Sequence, residues 1–269
     1  MAPEFDHNYP PLKIGNHSFD SRLITGSGAM TSLNSLKRAI IASGSKMTTV
    51  AMRRFDPAVS PQLFNTLLEL GVQVLPNTAG CYSAREAILT ARLAREALGT
   101  DLVKIEVISD DITLLPDPIE TLNATEELAN DGFTVLVYTS DDPILCRRIE
   151  NAGASAVMPL GSPIGSGLGI LNPYNIETIA NYATIPVILD AGIRSASDVA
   201  MAMELGCQGV LVASAINRAQ NPEAMARALA YGVSAGYIAR QSGPIPKQTQ
   251  ARATSQVNGL IDYNVDSSY

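Results

Sequence analysis

From residue 22 onward, short β-branched apolar runs alternate with longer stretches whose apolar positions recur at helical spacing. The runs cover 22–25, 47–52, 72–76, 102–108, 133–138, 156–160, 186–191 and 209–214, which predicts eight strands. Helical periodicity covers 33–42, 61–70, 83–98, 118–130, 143–152, 173–183, 196–205 and 222–240. Asp142-Pro143, Asn172-Pro173 and Asn221-Pro222 each set a capping side chain before a proline at the first helical position, where a missing N–H is harmless. Gly71, Gly99, Gly132, Gly153 and Gly206 mark helix ends. Eight strand-then-helix units without a linker or compositional break fit an α/β fold of one kind, a single-domain (β/α)8 TIM barrel, better than an open doubly wound sheet. The barrel with a short N-terminal extension is expected over 1–242, and the aperiodic stretch 243–269 is expected to be a polar tail.

Alternate residues of a barrel strand face the interior and the surrounding helices. In the 102–108 run, Val103, Ile105 and Val107 form an all-β-branched face suited to helices, leaving Leu102, Lys104, Glu106 and Ile108 to face inward. Lys104 is the one lysine of five set in an apolar strand, with Glu106 nearer the C-terminal mouth, where barrel active sites form. Burial disfavours an ammonium, so a depressed pKa and a usable amine nucleophile are expected, with the carboxylate opposing part of the shift. The same pair could also simply fill a barrel layer as a structural ion pair.

Composition narrows the chemistry. Of 269 residues, 46% are hydrophobic and only 17% charged, in keeping with a large buried volume. The net charge of -7 argues against nucleic-acid or anionic-membrane partners, which need fields of Lys and Arg. Cys81, Cys146 and Cys207 are scattered, and His7 and His17 are the only histidines, so neither a zinc site nor an imidazole triad is indicated. Acid-base work falls to carboxylates, lysine or tyrosine. The polar, Pro-rich start and the lack of a long apolar window suggest a soluble, cytoplasmic protein.

Anion binding has its own candidates. The glycine-rich stretch 161–169 follows the sixth run, and Asp190-Ala191-Gly192 and Ala213-Ser214 end the seventh and eighth, where barrel phosphate sites commonly form. Asp190 could reach the Lys104 cavity, or merely cap its own turn. Arg53, Arg54 and Arg194 could each bind an anionic group or be solvated surface residues.

The segments LPNTAGC from 75, DLVKIEVISD from 101, TLLPD from 113, DDP from 141, VMPLGSPIGSG from 157, LDAGI from 189 and AMELG from 202 resemble bacterial thiazole synthase of thiamin biosynthesis, in order along nearly the whole chain. The resemblance implies an enzyme that builds thiazole phosphate carboxylate from 1-deoxy-D-xylulose 5-phosphate, dehydroglycine and sulfur carried as a thiocarboxylate on a small ubiquitin-like protein. It implies an imine on Lys104, acid-base roles for Glu106 and Asp190, no metal or organic cofactor, and a homo-oligomer. Substrate contacts then fall on Gly165, Ala191, Gly192, Ala213 and Ser214.

The chain departs from that family in three places. Gly26-Ser27-Gly28-Ala29-Met30 stands where the family usually has Gly-Thr-Gly-Lys-Tyr, Ala213-Ser214 replaces an Asn-Thr pair, and Arg194 replaces a usual glycine. Arg194 is the expected source of compensating charge. A different lysine-imine barrel acting on a phosphosugar, of aldolase or vitamin B6 synthase type, shares the buried lysine and the phosphate loops but not the MPLG and LLPD segments.

Overall fold

The structure, a computed structural model, describes residues 9–54 and 60–252. It opens with a small antiparallel hairpin, β1 (Leu12–Ile14) and β2 (His17–Phe19). Eight parallel strands follow: β3 (Leu23–Gly26), β4 (Met47–Ala51), β5 (Gln73–Asn77), β6 (Leu102–Ile105), β7 (Thr134–Thr139), β8 (Ala156–Pro159), β9 (Ile188–Asp190) and β10 (Gly209–Val212). Their hydrogen-bonded order is β8-β7-β6-β5-β4-β3-β10-β9, and bridges from Val157 to Val187 and from Leu160 to Asp190 join β8 to β9 and close the barrel.

The surrounding helices are α1 (Leu33–Ser43), α2 (Ser60–Glu69), α3 (Ala84–Leu98), α4 (Pro118–Asn130), α5 (Pro143–Asn151), α6 (Pro173–Tyr182), α7 (Ala196–Leu205), the single turn α8 (Ser214–Asn217) and α9 (Pro222–Gln241). The three Asx-Pro starts work as the sequence predicts. Asp142 accepts from the N–H groups of Ile144 and Leu145, Asn172 from that of Asn175, and Asn221 from that of Ala224. No described helix is long and apolar enough to cross a membrane. Residues 243–252 of the expected tail are exposed and form no helix or strand, and 253–269 lie outside the described residues, as does His7.

Two shells of core follow from strand alternation. Val103, Ile105, Val107, Val135, Val137 and Leu189 face outward onto Ala87, Ala91, Leu128 and Ile149 of the helices. Leu75, Leu102, Leu136, Met158, Ile188 and Leu211 face inward and fill the barrel. The β1–β2 hairpin completes that inner layer, burying Leu12, Ile14 and Phe19 against it. His17 Nε2 lies 3.0 Å from Asp101 Oδ1, and Thr134 Oγ1 donates to Asp101 Oδ2 at 2.8 Å, fixing the hairpin to the start of β6. In sequence this stretch is only an extension, because three-residue strands are too short to show a period. Its only signal is the two-residue Gly15-Asn16 turn between apolar positions. With the N-terminal end of the barrel stoppered, the cavity opens at the other end.

Candidate active site

Lys104 projects inward from β6 and is 3% exposed. Its Nζ lies 2.5 Å from Asp190 Oδ2, at the end of β9, and 3.6 Å from Glu106 Oε2, just past the end of β6. Asp190 is 4% and Glu106 8% exposed, so one ammonium faces two carboxylates away from bulk water. Burial opposes the lysine's charge, but Asp190 and then Glu106 outweigh it and raise the Lys104 pKa above its ordinary value. This corrects the expectation of a depressed pKa. The reason is Asp190, distant in sequence yet the nearer of the two carboxylates. In the resting site the lysine is an ammonium, and a proton must leave Nζ before it can attack a carbonyl.

Glu106 is held by its own neighbours. Glu106 N–H donates to Thr78 Oγ1 at 2.8 Å while that hydroxyl donates to the Glu106 carbonyl at 2.9 Å, so one side chain locks the backbone on both sides. Asn77 Nδ2 lies 3.5 Å from Glu106 Oε2. Asp190 Oδ2 has only the Lys104 ammonium as its partner among the described residues. Tyr138 sits beside the pair, with Lys104 Nζ 5.4 Å from its ring centroid and its hydroxyl donating to the Leu114 carbonyl at 3.3 Å. Burial, followed by the charges of Asp190 and Glu106, raises the Tyr138 pKa, so the phenol stays neutral. Asn77, Thr78 and Tyr138 received no roles from sequence. The one signal for them was their position at the C-terminal ends of β5 and β7.

Lys104, Glu106, Asp190 and Asn77 line a cavity of about 410 Å³. Gly165, Ala191, Gly192, Ala213 and Ser214 all line it, so the structure brings these five to the same cavity as Lys104, Glu106 and Asp190. Three residues other than glycine among those described have positive φ, namely Ala29 (63°), Leu114 (53°) and Ala191 (65°), and all three line this cavity. Such conformations cost on the order of 1–3 kcal/mol each, persist only where the surrounding structure enforces them, and cluster at functional sites. Across the mouth, the Tyr82 hydroxyl donates to Asp111 and ties the β5–α3 loop to the β6–α4 loop.

The arginine candidates separate. Arg53 pairs with Glu86 at 3.2 Å and does not line the cavity, whereas Arg54 does. Arg194 is exposed beside Gly167 and is not among the lining residues, which corrects the expectation that it supplies charge to the site. The guanidinium that does reach the glycine-rich end is Arg218, which no motif marked.

The wall at that end is close-packed. Gly192 has φ 79°, and a Cβ there would sit 2.1 Å from Ser162 Oγ and 2.6 Å from Ser162 N, while its carbonyl accepts from Gly169 N at 2.8 Å. Gly192→Ala is therefore expected to cost about 2–4 kcal/mol, from left-handed strain plus overpacking. The melting temperature should fall by roughly 5–15 °C, which calorimetry would read.

Fold and cavity together define a (β/α)8 barrel whose cavity opens at the C-terminal ends of its strands, the face where such barrels carry their active sites. The chain belongs to the thiazole biosynthesis protein ThiG family, whose model matches residues 13–256, and so to thiazole synthase of thiamin biosynthesis. Among solved structures it is similar to the Amycolatopsis orientalis BexX/CysO complex, with 31% identity over 90% of this chain and 100% of that one, at a TM-score of 0.82. Thiamine phosphate pyrophosphorylase from Pyrococcus furiosus (13% identity, 80% of this chain and 96% of that one, TM-score 0.56) shares the fold. So does 3-hexulose-6-phosphate synthase from Salmonella typhimurium (18%, 79% and 98%, TM-score 0.56).

Proposed function

We propose that the chain forms thiazole phosphate carboxylate from 1-deoxy-D-xylulose 5-phosphate, dehydroglycine and a carrier-protein thiocarboxylate, through an imine on Lys104. The observation that carries this reading is the buried lysine with Asp190 at 2.5 Å and Glu106 at 3.6 Å, all three lining a cavity with glycine-rich walls.

Asp190, nearest to Nζ, takes the proton that frees the amine. The amine adds to the substrate ketone, and the carbinolamine loses its oxygen as water once a carboxyl group has returned a proton. The iminium acidifies the adjacent carbon. Glu106 and Asp190 then move the protons that transfer the carbonyl to that carbon, where the thiocarboxylate sulfur attacks. The carrier departs as its carboxylate with the oxygen of that carbonyl, dehydroglycine adds, a second water is lost, and closure of the ring expels the Lys104 amine. The phosphate rests against Gly165, Ala191, Gly192, Ala213 and Ser214, and the lysine itself serves as the electron sink.

A protein partner is supported by the relative solved with CysO. The carrier's C-terminal tail would enter the cavity mouth. Binding of the carrier is expected to be at least about tenfold weaker once its terminal Gly-Gly is removed, the effect of losing one or two buried hydrogen-bonded groups. Calorimetric titration of both forms checks this, and equal affinities would argue against tail insertion.

A further inference from the structure

Arg218 reaches the glycine-rich end of the cavity with no role assigned to it. It follows α8 directly, and its N–H donates to the Ser214 carbonyl at 3.0 Å, so the two side chains lie on one side of a single helical turn. Both line the cavity opposite Gly165, whose φ is 74°. A Cβ on Gly165 would lie 3.4 Å from Arg218 Nη1 and 3.7 Å from Ser214 Oγ. The missing side chain thus lets the loop backbone approach a guanidinium and a hydroxyl, all three on the cavity wall.

The base of the arginine is rigid and its tip is free. Ile216 and Asn217 are buried, and Asn217 Nδ2 donates to the Gly26 carbonyl at 2.9 Å and to the Gly28 carbonyl, pinning α8 to the loop after β3. Among the described residues Arg53, Arg92 and Arg227 each meet a carboxylate, whereas the exposed Arg218 guanidinium meets none.

We propose that Arg218 is a specificity-determining residue that takes the substrate's phosphate monoester into the cradle formed with Ser214 Oγ and the Gly165 loop. The proposal rests on reading the substrate as a phosphosugar and names the group that selects it. A planar fork of N–H donors matches two phosphate oxygens, and its charge-assisted bonds are about twice as strong as neutral ones. Ala213, five residues earlier, offers only a methyl group where an asparagine amide could have donated. Arg218 brings charge to the same spot from one turn further along.

The test is equilibrium binding by calorimetry, with 1-deoxy-D-xylulose 5-phosphate, its unphosphorylated analogue 1-deoxy-D-xylulose, and inorganic phosphate as probes. Arg218→Ala is expected to weaken the phosphorylated sugar about 10- to 100-fold, the range for a hydrogen-bonded charged group, and to leave the unphosphorylated sugar unchanged. KM rises by a similar factor without a matching fall in kcat, and Arg218→Lys recovers part of the loss. Arg54→Ala removes an equal charge from another part of the cavity wall and has a smaller effect. No change in Arg218→Ala, equal losses for both sugars, or an equal loss in Arg54→Ala would overturn the proposal. If the wild type binds inorganic phosphate but not the pentulose phosphate, and Arg218→Ala weakens that phosphate binding, the assigned substrate fails and the role of Arg218 stands. If the wild type binds neither, the cradle is not a phosphate site.

Discussion

Lys104→Arg is expected to lower thiazole phosphate formation on the order of 10⁴-fold, as loss of a covalent nucleophile does, while the protein stays folded. Arginine is the informative replacement because the site holds two buried carboxylates around one cation. Removing the cation, as in Lys104→Ala, leaves them uncompensated at about 3–5 kcal/mol, so inactivity could reflect unfolding. A guanidinium keeps the charge between Asp190 and Glu106 but cannot form an imine, and its extra volume costs about 1–3 kcal/mol. Circular dichroism should report an intact barrel and calorimetry persistent binding of the sugar phosphate, with activity lost. An active Lys104→Arg enzyme would remove the imine from the mechanism.

Asp190→Asn is expected to reduce turnover about 10²- to 10⁴-fold, the usual worth of a positioned acid-base group, and to change the titration of its neighbour. In the wild type burial alone would lower the Lys104 pKa, and the two carboxylates reverse the sign. Without the closer carboxylate only Glu106 opposes burial, so the Lys104 pKa falls and the amine becomes neutral at a lower pH than in the wild type. Lysine-selective NMR across a pH series reads that shift directly. The combination is distinctive, since the variant has a more readily available amine and a slower reaction. An unchanged lysine titration would show that the 2.5 Å contact does not govern the charge of the amine.

The barrel was legible because its strands and helices carry opposite periodicities and its helices announce their starts with Asx-Pro pairs. The orientation of Lys104 and Glu106 could be read for the same reason, since alternation along 102–108 leaves one apolar β-branched face for the helices. What could not be read depends on contacts between distant segments. The sign of the Lys104 pKa shift is set by Asp190, which arrives from β9. Arg218 lies in a stretch with no motif and reaches the cavity because α8 turns it there, while Arg194, exposed beside Gly167, is not among the lining residues. The hairpin that stoppers the barrel escaped because each of its strands is only three residues long.

An imine on Lys104 can be captured directly. Incubation with 1-deoxy-D-xylulose 5-phosphate, reduction with borohydride and peptide mass spectrometry test it in one step. A single reduced sugar-phosphate adduct is expected on Lys104 in the wild type and none in Lys104→Arg. An unlabelled wild type, or an adduct that persists at another lysine when Lys104 is replaced, would contradict it.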